Sequence, residues 1–265
     1  MCATYNPRFS FKEFVIHMSS RSSLKPLIIA LLSIMLCLAP AEISFGQTVV
    51  QTRLETAVCR SQNAAKTIKV ITGFSEEETI SRDLLNRAKA IGVFPDVNKM
   101  ALLFQQGMGG RGVICSRQQG GWSLPAYYAF GSTELNSKVA SFKSFDMVVL
   151  FMNEATVDWF QKGAIHLKGV KSGVAGPVGK ISPEALTQIL RANVIIYALV
   201  DGKLKGMDVE GDFFNDAVIN PDNNINKTIY GIKGREVLAG KAPKLSPTAP
   251  GITAFRDSLN EHFPV

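Results

Sequence analysis

Residues 104–117 read FQQGMGGRGVICSR, and the fold turns on how these glycines are used. Gly107, Gly109 and Gly112 fit the G-x-G-x-x-G spacing of a dinucleotide-binding loop. Glu134 follows about twenty residues on, where an acid would hold a ribose hydroxyl. That chemistry requires a strand before the glycines and a helix opening on the last of them. Here Gly112 is followed by Val113-Ile114-Cys115, a β-type run, and then by Gly120-Gly121-Trp122. No helix N-terminus is available for a pyrophosphate. The glycines therefore read as a hairpin with left-handed or bulged positions, and a nucleotide fold is rejected.

Short apolar or aromatic runs continue on both sides: 100–106, 113–117, 122–130, 145–152, 165–170, 194–200 and 204–209. Asp201-Gly202 between the last two is a two-residue hairpin signal. Helical patterns lie among them. Over 51–72, Leu54, Ala57, Val58, Ala64, Ala65, Ile68 and Ile71 share one face at about 100° per residue. Arg53 and Arg60 border that face on one side, Lys66 and Lys69 on the other. Ser75 ahead of Glu76-Glu77-Glu78 is a capping-box pattern and predicts a second helix to about Ala90, closed by Gly92 and Pro95. Helices are also expected over 153–162, over 183–192 with Ser182 as cap, and around Ile252, Phe255, Leu259 and Phe263 after a proline-rich stretch. The predicted class is α+β, with N-terminal helices packed on a largely antiparallel sheet or partial barrel.

The 265 residues carry a formal charge of +7. A mildly basic balance suits an anionic surface without naming one. Near the start, Arg21 and Lys25 precede an apolar run of about thirteen residues, Leu27 to Ala39, ended by Pro40. A bilayer span takes roughly twenty. Ser44-Phe45-Gly46 supplies small residues where a signal peptidase reads, so residues 1–46 are expected to be an export signal, with 1–17 an upstream extension ahead of Met18. Cys2 and Cys37 then leave with the leader. Cys59 and Cys115 remain, and their pairing is left open.

Other motifs carry little chemistry. GVKSGVAGPVGK at 169–180 misses the Walker spacing, yet Lys168, Lys171 and Lys180 form a basic, glycine-rich surface. Asp222-Asn224-Asn226 opens like a calcium loop, but Lys227 and Lys233 occupy its glycine and glutamate positions. The acids Asp208, Glu210, Asp212 and Asp216 lack nearby histidines, so no metal or cofactor is expected. His166 sits in an alternating run, and no nucleophile–base motif is present. Aromatics without a concentrated basic stripe speak against nucleic acid. No catalytic residue is assigned.

KAIGVFPDVNKMALLFQQGMGGRGVICSR (89–117), GWSLP (121–125), AGPVGK (175–180), IYALVDGKLKGMDVEG (196–211) and Tyr230-Gly231 occur in an order that closely resembles the SYLF domain family. The resemblance covers most of 50–235. It implies a SYLF-like domain over 47–240, followed by a linker and short helix over 241–265. It also implies a non-catalytic, lipid-binding function: eukaryotic members bind phosphoinositides through a basic amphipathic N-terminal helix, and some bind actin filaments. The helix bearing Arg53, Arg60, Lys66 and Lys69 occupies that place, with Lys168, Lys171 and Lys180 as a second basic set. With an export signal, the expectation becomes an exported, peripheral protein of the periplasm or cell envelope that contacts anionic phospholipid headgroups. The alternatives are an enzyme acting on an envelope component and a structural or actin-like interaction module.

Overall fold

The computed structural model describes residues 24–101, 106–132, 143–167, 173–207, 217–243 and 250–264. The chain divides into two units, Met1–Thr52 and Arg53–Val265. In the first, the backbone is helical from Leu24 onward, as the start of α1 (Leu24–Thr72). Pro40 ends the apolar run but not the helix. Among the described residues, no helix is long and apolar enough to cross a membrane.

The second unit is an α+β domain built on a curled, ten-stranded mixed sheet. Its strands are β1 (Ala90–Ala101), β2 (Gln106–Gln118), β3 (Gly121–Trp122), β4 (Ala126–Ser132), β5 (Ser144–Phe151), β6 (Ile165–His166), β7 (Gly173–Ala175), β8 (Val194–Val200), β9 (Lys203–Gly206) and β10 (Ala217–Pro221). The order across the sheet is β6-β10-β4-β2-β1-β5-β8-β7, with β3 hydrogen-bonded to β2 and β9 to β8. Among the described strands only the β7–β8 pair is parallel, and α4 (Pro183–Ile189) lies in the connection between them. The other helices are α2 (Arg82–Arg87), α3 (Glu154–Lys162), α5 (Asn223–Tyr230), α6 (Gly234–Leu238) and α7 (Ala254–His262).

The glycines of 107–112 do not form the expected hairpin turn. They lie inside β2, flanked by β1 and β4, and none has a positive φ. Their purpose is room. β1 carries one extra residue between Val93 and Asn98, a bulge that holds Pro95 and puts Asp96 at φ 55. A Cβ on Gly110 would sit 2.6 Å from Val97 Cγ2, and one on Gly112 would overlap the Val93 carbonyl. The bulge is pinned from the other side, where Asp96 N–H donates to Asp146 Oδ1 at 2.9 Å. The left-handed positions fall elsewhere. Gly120 and Gly121 turn β2 into β3, and Asp201 (φ 49) with Gly202 (φ 74) makes the two-residue β8–β9 turn that the sequence predicts.

The second expected helix also differs. Ser75 O accepts from Glu78 N–H at 3.0 Å, which closes a single turn, and the helix begins only at Arg82. Tertiary pairing keeps the intervening chain extended. Ile80 bridges Val178, Gly179 N–H donates to Thr79 O, and Thr79 Oγ1 donates to the Ile71 carbonyl. Gly92 and Pro95 belong to β1. By contrast, Ser182 caps α4 as read, accepting from Ala185 N–H, while Asn153, expected as the first residue of its helix, caps α3 by accepting from Thr156 N–H.

One face of α1 packs onto the domain through Ala57, Ser61, Ala64, Ile68 and Ile71. The small residues allow close approach, and hydroxyls supply specific ties. Ser61 Oγ donates to Ile252 O and accepts from Phe255 N–H, while Thr67 Oγ1 donates to Asp146 Oδ2 at 2.6 Å. The closing helix α7 buries Phe255 and Leu259, and Ile252 and Phe263 beside it are buried as well. Each such side chain is worth about 1.5–3 kcal/mol of burial. Trp122 fixes the end of α7 by donating from Nε1 to Phe263 O at 3.0 Å. Arg117 lies 4.4 Å over the Trp122 ring and donates to the carbonyls of Leu85 and Ala88.

Candidate functional site

The four basic residues of α1 have unlike surroundings. Arg53 is half-buried and donates to Thr228 Oγ1 on α5 at 3.2 Å. Arg60 is only 7% exposed, and its Nη1 lies 2.9 Å from Asp222 Oδ2. The same oxygen is 3.8 Å from Nη1 of Arg111, which is 70% exposed. Asp222 Oδ1 accepts from Ile225 N–H and so caps α5. Burial lowers the Arg60 pKa, with Asp222 opposing that shift. Among the described residues its Nε and Nη2 have no hydrogen-bond partner. The sequence placed Arg60 at the edge of the apolar stripe, but the fold draws it into the interior. A headgroup cannot reach it there.

Lys66 and Lys69 are exposed, and neither has an ion-pair partner among the described residues. Val70, one residue on, is 43% exposed, one of two large apolar side chains left open to solvent among the described residues. At spacings of three and four residues these three side chains share one helix flank. The flank is small, but it joins positive charge to apolar surface.

Of the second basic set, Lys168 and Lys171 lie outside the described residues. Lys180 is exposed, and its Nζ is 3.4 Å from both Glu76 Oε2 and Glu77 Oε1. The glycines of AGPVGK meet packing demands. A Cβ on Gly176 would enter the Tyr197 ring, whose hydroxyl donates to Pro177 O, and Gly179 is left-handed at φ 89.

A cavity of about 690 Å³ opens beyond the last turn of α1. Ile80, Leu85 and Phe263 are its buried apolar lining, with Phe74 and Ile181 half-buried beside them. Its rim carries Glu76, Arg82, Asp83 and Lys180, all exposed.

The WS-x-P motif and its neighbours are structural. Ser123 Oγ accepts from Ser116 N–H, Ser116 Oγ donates to Leu238 O, and Tyr230 Oη donates to Pro125 O at 2.8 Å. Asn226, fully buried, exchanges two 2.9 Å hydrogen bonds with the Tyr127 backbone. Sequence reading passed over these polar clamps, for apart from Ser116 and Ser123 their partners lie about a hundred residues apart. Asp222-Asn224-Asn226, compared above with a calcium loop, instead starts α5.

Nothing described resembles an active centre. His166 is exposed on β6. Cys115 is a free thiol whose pKa burial pushes well up, so it is not bonded to Cys59 and is a poor nucleophile. Among the described residues no three His, Cys, Asp or Glu side chains could hold a metal. The acids at 208, 210, 212 and 216 lie outside the described residues.

Residues 138–262 match a family model described as "Ysc84: Las17-binding protein actin regulator". Two Saccharomyces cerevisiae proteins are similar: LAS seventeen-binding protein 3, 28% identical over 173 residues, and Protein YSC84, 28% identical over 196. These matches support a SYLF domain in this chain. The two matches cover 63% and 72% of this chain but 36% and 40% of those proteins. An SH3 domain-containing protein of Schizosaccharomyces pombe is 24% identical over 194 residues, covering 69% of this chain and 44% of its own length. The chain thus spans about two fifths of the curated relatives it matches. The matched family is described by binding and regulation.

Proposed function

We propose that this SYLF domain is a non-catalytic module that binds anionic phospholipid or phosphoinositide headgroups at a membrane surface. The supporting observation is the outer flank of α1, where Lys66 and Lys69 are exposed without ion pairs beside the exposed Val70. Each lysine near an anionic surface contributes about 1 kcal/mol, and a partly exposed valine adds shallow insertion. Arg53 and Arg60, turned toward α5 and Asp222, hold the helix in place so that this flank faces outward. Lys168, Lys171 and Lys180 form the secondary set, Lys180 being restrained by its two glutamates. The leader read from the sequence gives this surface its setting, the envelope side of a membrane after export.

Co-sedimentation of the protein with liposomes tests the reading. Vesicles containing anionic lipid are expected to carry it down and neutral vesicles to leave it in solution. No binding to either overturns the assignment.

The family description as an actin regulator supports a second reading, a protein-interaction module. Co-sedimentation with actin filaments separates the two: pelleting with filaments but not with anionic vesicles favours this reading.

A further inference from the structure

The cavity beyond α1 differs from the lysine flank in its charge. Its rim carries both signs: Arg82 and Asp83 are adjacent and exposed, and neither has an ion-pair partner among the described residues. Across from them Lys180 is shared by Glu76 and Glu77, which leaves a surplus of negative charge on that side. Beneath lies apolar surface from Ile80, Leu85, Phe263, Phe74 and Ile181. At about 690 Å³ the space falls within the range of small-molecule sites, about 300–1,000 Å³. A ligand that fits needs an apolar part, an anion for Arg82 and a hydrogen-bonding cation for Asp83 and Glu76.

We propose that this groove binds one phospholipid whose headgroup bears a phosphate and a primary ammonium, as in phosphatidylethanolamine. The phosphate meets Arg82, the ammonium donates to Asp83 and Glu76, and the first part of an acyl chain covers the apolar floor. The groove begins where the proposed membrane-facing flank of α1 ends, since Thr72 and Phe74 line it. The inference rests on the membrane reading for its setting, but it uses different residues. Charge complementarity favours this occupant over a simple anionic lipid, which the surplus carboxylates repel. A primary ammonium donates three hydrogen bonds, whereas the quaternary ammonium of phosphatidylcholine donates none. That difference is the expected basis of selectivity.

The test uses the full chain and dihexanoyl phosphatidylethanolamine below its micelle concentration, with dihexanoyl phosphatidylcholine as comparison, followed by calorimetry and NMR shift mapping. Saturable binding at least ten-fold tighter for the ethanolamine lipid is expected, with shifts at Phe74, Ile80, Asp83 and Ile181. Glu76→Gln with Asp83→Asn should remove the preference, and Arg82→Gln should weaken both lipids. All three residues are exposed, so the variants should fold. Lys66→Gln with Lys69→Gln should leave the groove's affinity unchanged while reducing vesicle binding. That arm separates failure of the groove from failure of the membrane reading. Equal affinity for the two lipids, no saturable binding, or shifts confined elsewhere overturns the proposal, as does a preference that survives the carboxylate changes.

Discussion

Nη1 of Arg60, three-quarters of the way along α1, lies 2.9 Å from Oδ2 of Asp222, the residue that caps α5. The pair is 162 residues apart in sequence and secluded from solvent. Breaking a buried pair from the acidic side strands a guanidinium that already has two unpartnered nitrogens. Such a loss costs about 3–5 kcal/mol, and the lost cap adds roughly 1. Asp222→Ala is therefore expected to destabilise the domain more than Arg60→Met, which removes the charge and keeps the stem. Urea unfolding of both variants measures the order, and the reverse order disproves the account.

The strand glycines give a second comparison. Gly110→Ala and Gly112→Ala each force a methyl against the β1 bulge, so both should lower stability by about 1–3 kcal/mol. Gly131→Ala places its methyl in open space and should be neutral or better. Thermal melting of the three proteins is sufficient. A tolerated Gly112→Ala shows that the bulge can relax.

For the lysine flank, changing Lys66 and Lys69 together to glutamine should weaken binding to anionic vesicles by about 2 kcal/mol, or roughly thirty-fold. Circular dichroism and melting temperature should not move, because both side chains are exposed. Raising salt should weaken the parent protein's binding as the Debye length shortens. Arg60 does not belong in this variant, since its loss would disturb the fold and mimic a lost binding site.

Processing is measured separately. If residues 1–46 act as an export signal, intact-mass analysis of the exported protein should give a chain beginning at Gln47. A mass that retains the apolar segment means an anchored protein instead.

The carboxyl of Glu77 is held below the usual carboxylate range, by a backbone hydrogen bond first and by Lys180 second. A lowered folded-state pKa means that the clasp is present at neutral pH and is lost as acid protonates the group. Its NMR titration midpoint should therefore rise toward the ordinary value in Lys180→Gln.

Local signals were legible where local chemistry decides. Asp201-Gly202 makes its turn because the two-residue loop needs two positive φ values, and Ser182 caps because its side chain reaches an amide three residues on. Ser75 offered the same signal, but pairing of Thr79 and Ile80 with the segment around Val178 prevailed over it. The glycines of β2 were misread because their constraint comes from Val93 and Val97 on a neighbouring strand, not from their own dihedrals. In the candidate site, helical periodicity placed Arg60 and Lys66 alike at the border of a stripe. Only Asp222, far along the chain, decides which of them turns inward.

Trp122 and the carbonyl it holds at Phe263 are separated by 141 residues, and β4 waits for β10 before its outer edge is paired. During synthesis the central strands therefore emerge long before the segments that cover them. Ribosomes add about 5–20 residues per second, so this interval lasts several seconds at least. Throughout it, the apolar face of β4 and the indole of Trp122 are open to whatever holds nascent chains. The domain cannot close vectorially, and its folding waits on residues around Phe263.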